Sequence, residues 1–297
     1  MNPDGLVALD TGGDLLSPPA ALEHESLLEL TGLEVGFREA APAVAGVSLG
    51  ISAGECVSLV GESGSGKSVT CLTVMGLLAP TAEVRKGQIR FAGRSLLDLP
   101  RREMASLRGR EIAMIFQDPL GALNPVHSIG WQIAEALMLN QGLGQRPAMR
   151  EAVELMARVG IPEPRQRARA YPHQMSGGMN QRVMIAMAMA ARPKLLIADE
   201  PTTALDVTIQ AQILDLLDDL RRELKMALLL ITHDLGVVAQ MAERVLVMRH
   251  GKVVEEGPVD AIFHAPRHAY TRALLGAVPR LDRKVERLAS LSGAVGA

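Results

Sequence analysis

A glycine-rich loop followed by lysine and serine is the clearest chemical signal in this chain. It matches the phosphate-binding pattern at Gly61, Glu62, Ser63, Gly64, Ser65, Gly66, Lys67 and Ser68. In such a loop, backbone N–H groups surround phosphate oxygens, Lys67 reaches the β- and γ-phosphates, and the Ser68 hydroxyl ligates Mg²⁺. A chance glycine-rich turn would lack the apolar stretch 56–60 before the loop and the helical pattern 68–78 after it.

Two acidic residues end another apolar stretch further along the chain. Asp199 and Glu200 follow residues 195–198, and the carboxyl end of a buried parallel strand faces the ligand crevice of its sheet. We therefore predict that Asp199 holds Mg²⁺, directly or through water, and that Glu200 orients or deprotonates an attacking water. The alternative is an acidic helix cap before Pro201, and the phosphate-binding loop favours the catalytic interpretation.

Two more polar residues follow apolar stretches of the same kind. His233 comes after residues 227–232 and Gln117 after residues 112–116. A neutral imidazole at His233 could hydrogen-bond the γ-phosphate or the attacking water, and Gln117 could reach Mg²⁺ or that water. Without the neighbouring motifs, His233 would be an ordinary strand-end histidine and Gln117 an ordinary surface glutamine.

A second glycine-rich loop, Ser176, Gly177 and Gly178, comes just before the apolar helical stretch 183–191. Its N–H groups and hydroxyl predict another anion site, although serine is also a good helix N-cap. We do not expect one chain to place both glycine-rich loops against the same nucleotide. The sequence therefore predicts that each site is completed by a second chain.

The elements that must position these residues are a mainly parallel sheet and its helices, which predicts a three-layer α/β core. Apolar stretches between turn signals predict strands at 27–35, 44–51, 56–60, 88–91, 195–198, 227–232 and 245–248, with a hairpin turn at 250–251. Helical spacing predicts helices at 68–78, 129–140, 150–159, 183–191 and 209–224. Residues 118–181 read as a helical insertion, and the Gly/Pro/Asp-rich residues 1–25 as a disordered extension.

Composition narrows the possible partners and compartment. A net charge of −2 without a basic face argues against nucleic acid, and only 2% aromatic residues predicts an aliphatic core. Cys56 and Cys71 have no metal-site spacing, so we expect buried free thiols in a reducing compartment. The first residues lack a signal-peptide pattern and no apolar stretch is long enough to span a bilayer, so we expect a cytoplasmic chain whose membrane role comes through a partner.

Taken together, these motifs resemble the ATP-binding subunits of ABC transporters over about residues 27–257. They occur in the family's order: Walker A at 61–68, Q-loop at Gln117, signature at 176–178, Walker B at 195–200, D-loop at 204–206 and switch histidine at His233. The resemblance implies a P-loop NTPase core with an antiparallel β subdomain and an inserted helical subdomain. It also implies that Asp206 contributes to nucleotide binding.

A narrower resemblance is to the dipeptide, oligopeptide and nickel importer ATPases. It rests on residues 61–70, on 114–119 with 123–125, on 181–187, and on a C-terminal segment at 268–275 within a family-type extension at 258–297. Asn180 stands where arginine is usual in the family. This departure is the reason to consider a heterodimer whose two ATP sites are unequal. Phe37, 24 residues before Gly61, is the candidate for stacking on adenine, with a core role as its alternative.

The resemblance implies ATP and Mg²⁺ as cofactors and a head-to-tail dimer with an identical or paralogous ATPase subunit. It further implies two transmembrane permease subunits, a solute-binding protein acting indirectly, and a peripheral position on the cytoplasmic face of the inner membrane. The expected activity is ATP hydrolysis that drives import of di- or oligopeptides, or of a related solute such as nickel. The alternatives are a soluble ABC ATPase acting on DNA or ribosomes, and a P-loop kinase or GTPase.

Overall fold

The computed structural model describes residues 26–38, 41–203 and 205–277. The predicted extension 1–25 and residues 278–297 of the predicted C-terminal extension lie outside the described residues. The described strands are β1 (Ser26–Phe37), β2 (Val44–Ser52), β3 (Cys56–Val60), β4 (Ala82–Phe91), β5 (Arg94–Ser95), β6 (Ile112–Ile115), β7 (Leu195–Asp199), β8 (Ala227–Thr232), β9 (Arg244–Arg249) and β10 (Lys252–Pro258).

Helices follow β3, β5, β6, β7, β8 and β10 in the chain. They are α1 (Lys67–Val74), α2 (Arg101–Leu107), α3 (Pro119–Ala122), α4 (Ile129–Gln141), α5 (Gln145–Arg158), α6 (Pro164–Arg167), α7 (Gly177–Met189), α8 (Val207–Leu224), α9 (Leu235–Met241), α10 (Val259–His264) and α11 (Ala269–Gly276). None of the helices within the described ranges is both long and apolar enough to cross a bilayer.

The larger sheet has the strand order β10-β9-β3-β8-β7-β6 and is parallel except for β10, which runs antiparallel to β9. Every residue of β3, β7 and β8 is buried. Continuous apolar strands of this kind belong in a parallel sheet that is covered on both faces. The predicted mainly parallel α/β core is confirmed.

The smaller sheet is antiparallel, with the order β2-β1-β4-β5. Its apolar face shares one core with α1 and with one face of the larger sheet, through side chains such as Leu28, Phe91, Cys71 and Leu229. Helix α1 is thereby held between the two sheets. The antiparallel β subdomain implied by the family resemblance is present.

Helices α3 to α7 lie between β6 and β7 in the chain, and a second core joins α4, α5, α7 and α8 to the other face of the larger sheet. A third, smaller core packs α9, α10 and α11 against β9 and includes Val247, Ile262 and Tyr270. The two cysteines are buried and free, as expected. Burial raises the pKa of Cys56 to about 12, so its thiol stays protonated.

The largest differences from the predicted ranges are in β4, α5, α7 and α1: α7 begins at Gly177 rather than at residue 183, and α1 ends at Val74 rather than at residue 78. Strand β4 begins at Ala82 rather than at residue 88. The apolar pattern missed its first half because that half is polar and mostly accessible, and it is held by pairing with β1 rather than by an apolar face. Helix α5 begins at Gln145 rather than at residue 150. Its first turn contains Pro147, which a helix tolerates there although it gives no apolar signal. The predicted hairpin turn at 250–251 is confirmed between β9 and β10.

Candidate nucleotide-binding site

Four neighbouring parallel strands end at one edge of the larger sheet and carry the predicted chemistry there. In spatial order β3 is followed by Gly61, β8 by His233, β7 ends on Asp199, and β6 is followed after one residue by Gln117. Parallel strands present their carboxyl ends to the same side, which is where an open α/β sheet binds its ligand. The sheet order alone thus gathers residues that lie far apart in the chain.

The phosphate-binding loop joins β3 to α1 and holds its lysine inside. Lys67 is 6% exposed, and its Nζ donates hydrogen bonds to the carbonyl oxygens of Gly61 (2.7 Å) and Glu62 (2.9 Å). Burial lowers the pKa of Lys67, and the nearby carboxylates of Glu200 and Asp199 oppose that shift. Gly66 caps α1 with φ at 103°, and a Cβ there would meet the Ala43 carbonyl oxygen at 2.4 Å, so only glycine fits.

Asp199 is a buried carboxylate with one oxygen unused. The residue is 6% exposed, and its Oδ1 has no hydrogen-bond partner within the described residues. Burial raises the pKa of this carboxyl and the neighbouring Glu200 adds to the shift, while a hydrogen bond from Ser68 and the charge of Lys67 oppose it. A buried carboxylate oxygen without a partner is costly unless a cation or donor satisfies it.

These residues fit a magnesium ion that is shared with phosphates. Within the described residues, no cluster of three His, Cys, Asp or Glu side chains could hold a metal without help. Mg²⁺ commonly takes only one or two carboxylates and fills its shell with phosphate oxygens and water. The unpaired Oδ1 of Asp199 beside the Ser68 hydroxyl supplies hard oxygen ligands of that kind.

Glu200 is the centre of a hydrogen-bonded group. Gln117 Nε2 and Thr203 Oγ1 donate to Glu200 Oε2 over 2.9 Å and 2.8 Å, and His233 Nδ1 lies 3.2 Å from Oε1. Its backbone has φ at 47°, and its N–H donates to the carbonyl of Ile231 on β8. Burial favours protonation of Glu200, but hydrogen bonds from Thr203 and His233 and nearby positive charge outweigh it, so its pKa is lowered.

The second glycine loop lies at the start of α7 and faces α8. Ser176 Oγ accepts a hydrogen bond from Met179 N (3.3 Å), so the residue is a helix N-cap, and it lines a pocket with Gly177, Gly178 and Asp206. Asp206 caps α8 by accepting from Ile209 N, while its predicted neighbour in the D-loop, Ala204, lies outside the described residues. No hydrogen bond of the described residues links this pocket to residues 61–68.

The side chain of Phe37 is partly exposed, whereas that of Asn180 lies in the interior. Phe37 ends β1, is partly exposed and belongs to none of the three apolar cores of the described residues. Asn180 is 1% exposed and donates through Nδ2 to the carbonyl of Pro172. The side chain at the departing position 180 therefore faces the protein interior, so it gives no support for unequal sites in a dimer.

Sequence reasoning missed two residues that contact the site. Thr203 donates to Glu200, and Tyr270 accepts a hydrogen bond through its hydroxyl from the Glu62 N–H at 3.1 Å. Thr203 lies only three residues from Glu200, so a Glu-x-x-Thr turn could have indicated it. Tyr270 is 208 positions from Glu62, and nothing in the sequence pattern marks that pairing.

Comparison with known proteins agrees with this geometry. A family model described as "ABC transporter" matches residues 44–203, and one described as "Oligopeptide/dipeptide transporter, C-terminal region" matches residues 254–297. The dipeptide transport ATP-binding protein DppD of Escherichia coli is 53% identical over 273 residues, which cover 91% of this chain and 84% of that protein. The oligopeptide transport ATP-binding protein OppD of Bacillus subtilis is 50% identical over 264 residues, covering 88% and 74%.

Solved structures give the same picture at lower identity. A dimeric ATP-binding cassette, MJ0796, in a post-hydrolysis state bound to ADP and Pi, is 28% identical with a TM-score of 0.70. It covers 78% of this chain, and the match includes 98% of that structure. CbiO1 of Clostridium perfringens, described as part of the ABC transporter complex cbiONQ, is also 28% identical with a TM-score of 0.70, covering 82% of this chain and 92% of its own.

Proposed function

The chain belongs to the ABC transporter family, and from that premise we propose that it is the ATP-hydrolysing subunit of a peptide importer, with the residues described above as its active site. The observation that carries the proposal is the meeting of a phosphate-binding loop, a buried acid and a hydrogen-bonded acid at the ends of adjacent parallel strands. Relatives named for dipeptide and oligopeptide transport, matched over most of their length, support peptides as the cargo class.

In the first step, residues 61–68 bind the ATP phosphates. Lys67 donates to two loop carbonyls, and it can exchange these for β- and γ-phosphate oxygens without leaving the loop. The N-terminus of α1 adds favourable partial charge. Phe37, partly exposed at the end of β1, is proposed to stack on adenine. Six residues later in the chain, the carbonyl oxygen of Ala43 lies close to Gly66 of the phosphate-binding loop, which brings this part of the chain near the proposed nucleotide.

Ser68 and Asp199 would hold the Mg²⁺ that accompanies ATP. Gln117 would bind the ion as a further ligand, either directly or through a water molecule. When bound, the ion would offset the charge that develops on the phosphates. The support is the unpaired buried Oδ1 of Asp199 and its neighbour Ser68.

Glu200 is the proposed general base. It accepts a proton from the water that attacks the γ-phosphorus, while the bond between that phosphorus and the β-phosphate oxygen breaks and releases ADP and phosphate. Its lowered pKa keeps it deprotonated at neutral pH. Gln117, Thr203 and His233 fix the carboxylate, and His233, with 65% of its side chain exposed, is free to contact the γ-phosphate.

Replacing Glu200 with glutamine tests this function. Glu200→Gln keeps the size and hydrogen-bonding shape but removes the base, so we expect ATP binding within about twofold of wild type and turnover reduced by about 100-fold or more. The variant should also accumulate as an ATP-bound dimer, measured by size-exclusion chromatography. Glu29→Gln, on an exposed position of β1, is the matched control and should retain full turnover. Unchanged turnover in Glu200→Gln would remove this residue from the mechanism.

The pocket of Ser176, Gly177, Gly178 and Asp206 is proposed to bind the nucleotide held by a second ATPase subunit. A 13-residue helix begins at Gly177 with its N-terminus toward the pocket, and helix N-termini bind anions. The support from relatives is the dimeric form of the matched cassette. In a head-to-tail pair, each phosphate-binding loop would face the partner's Ser176 pocket, and closure of the pair around ATP would be reversed by hydrolysis.

Two permease subunits are the proposed membrane partners, which would hold this chain on the cytoplasmic face of the inner membrane, with a solute-binding protein acting through them. An apolar groove beside Gln117 offers a contact surface, and it includes the partly exposed Leu77 and Phe116. Extraction of the full assembly in mild detergent is the check. Co-purified permeases support transport, whereas co-purified DNA or ribosomes would overturn it.

A further inference from the structure

The C-terminal segment of the described chain reaches back to the phosphate-binding loop. Tyr270, near the start of α11, accepts a hydrogen bond through its hydroxyl oxygen from the Glu62 N–H over 3.1 Å. Tyr270 is 2% exposed although its hydroxyl meets the loop. This is a direct contact between the C-terminal segment and the residues proposed to bind phosphate.

The contact acts on the same peptide unit that holds the lysine. The Gly61 carbonyl and the Glu62 N–H belong to one planar peptide group. Lys67 Nζ donates to that carbonyl over 2.7 Å, while Tyr270 accepts from that N–H. The plane is therefore fixed at both edges, and a rotation that broke the bond to Tyr270 would also move the oxygen on which Lys67 rests.

The tyrosine ring has little freedom to move. The Arg249 guanidinium lies over the ring at 4.8 Å from its centroid, which is cation–π geometry. The N–H of Tyr270 donates to His268 Nδ1, which caps α11. Glu255 on β10 accepts from the N–H groups of Arg267 and His268 at 2.7 Å and 3.0 Å, which ties the start of α11 to the sheet.

We propose that Tyr270 is a positioning residue of the ATP site: its hydroxyl orients the Gly61–Glu62 peptide and so holds Lys67 ready beside the phosphate-binding position. The inference rests on the proposed function of residues 61–68. Tyr270 does not touch the nucleotide in this arrangement. It acts through the loop backbone, and it makes the C-terminal segment part of the nucleotide-binding unit.

Loss of the hydroxyl should affect binding more than chemistry. Without the hydroxyl the peptide group can tilt, so only a fraction of the loops is ready to bind ATP. The apparent affinity for ATP is then the intrinsic affinity multiplied by that fraction. One net hydrogen bond corresponds to a change of roughly 3- to 10-fold in affinity. The acid pair at Asp199 and Glu200 is untouched, so the turnover rate at saturating ATP should stay within about twofold.

Tyr270→Phe is the test, because it removes only the hydroxyl and keeps the ring beneath Arg249. The chain has two tyrosines, so Tyr171→Phe, in the helical region next to a 3₁₀ turn, is the matched control. With the purified full-length chain we expect KM and Kd for ATP to rise roughly 3- to 10-fold in Tyr270→Phe, with kcat and melting temperature nearly unchanged. Tyr171→Phe should match wild type in all four.

The outcomes separate this inference from the function it rests on. Wild type that neither binds nor hydrolyses ATP would reject the proposed function. Wild type that does both, with Tyr270→Phe equal to it, would reject only the positioning role, as would equal losses of kcat and affinity accompanied by a large drop in melting temperature.

A measurement on wild type covers the case in which the variant does not fold. Amide hydrogen exchange at Glu62 in the nucleotide-free chain should be slowed by its bond to Tyr270. Exchange as fast as in an open loop would overturn the proposal.

Discussion

The proposed cation site rests on a single buried carboxylate oxygen, Asp199 Oδ1, which has no hydrogen-bond partner among the described residues. Burial raises the pKa of Asp199, so its ionised form carries an electrostatic cost in the folded chain. That cost is present above the raised pKa. It shrinks as the pH falls through that value and is gone below the ordinary value of 3.8.

Asp199→Asn should therefore stabilise the nucleotide-free chain while abolishing activity. Removing the charge relieves the cost, and we expect the melting temperature at pH 7.5 to rise by about 2–4 °C. Mg²⁺ with ATP should raise the melting temperature of wild type by several degrees more than ATP alone, and this extra gain should be missing in the variant.

Thermal unfolding with and without Mg²⁺ and ATP checks both the higher melting temperature of the variant and its missing Mg²⁺-dependent gain. The difference in melting temperature between wild type and Asp199→Asn should be smaller at pH 4 than at pH 7.5. Asp219→Asn, exposed on α8, is the control and should behave as wild type. A variant less stable than wild type, or one that keeps the Mg²⁺-dependent gain, would contradict the role given to Asp199.

The positions of Gly61, Asp199 and His233 at one sheet edge were predictable, because each follows an apolar strand and parallel strands end together. The local geometry of Glu200 was not. Its backbone lies in the left-handed region, at φ 47°, which residues other than glycine adopt only when surrounding contacts enforce it. The hydrogen bond from Thr203 depends on that turn. The catalytic and ligand roles assigned to these residues stay predictions until the variants are measured.

At the scale of elements, the two glycines of the second loop have different surroundings. A Cβ on Gly178 would lie 2.7 Å from Ile209 Cγ2, a branched atom near the backbone of α8. A Cβ on Gly177 would be 3.7 Å from Leu205 Cδ2, which is an ordinary contact. The close approach of α7 to α8 thus depends on Gly178 and not on Gly177.

Gly178→Ala should lower the free energy of unfolding by about 1–2 kcal/mol because α7 and α8 must separate or Ile209 must leave its rotamer. Gly177→Ala should leave it unchanged or slightly higher, since alanine favours the helix. Urea denaturation of the two variants measures the difference directly. Equal stability of the two variants would show that α7 and α8 can shift at no cost.

The elements that sequence patterns predicted well are those with a continuous apolar face, such as β3, β7 and β8. The first half of β4 and the first turn of α5 escaped prediction because neighbours rather than apolar spacing hold them. The contact of Tyr270 with Glu62 escaped for a related reason, since it joins two segments that share no local pattern.

At the scale of the whole molecule, the proposed function gives the chain two half-sites. The phosphate-binding loop meets the acid pair at the sheet edge, while Ser176 and Asp206 line a separate pocket on α7 and α8. If two copies pair head to tail, a chain with a damaged loop and a chain with a damaged pocket should restore each other.

Lys67→Ala and Ser176→Arg chains should each lack ATP turnover alone, since every paired site would then contain one damaged half. Equal mixing with subunit exchange makes half of the dimers mixed, each with one intact site, so about a quarter of wild-type turnover should return. A steady-state ATPase assay of the mixture, beside each variant at the same total concentration, measures this. No recovery with an active wild type would exclude a site shared between two copies of this chain.

The position of β3 within the sheet has a consequence for how the protein is made. Its neighbours on either side are β8 and β9, and Ser58 on β3 donates to the carbonyl of Leu230, 172 residues later. At translation rates of about 5–20 residues per second, β3 waits roughly 10–35 seconds for that neighbour. The segment that carries the phosphate-binding loop is enclosed by its sheet neighbours only after β8 and β9 have been made, so a growing chain can acquire the proposed capacity to bind nucleotide only from that point on.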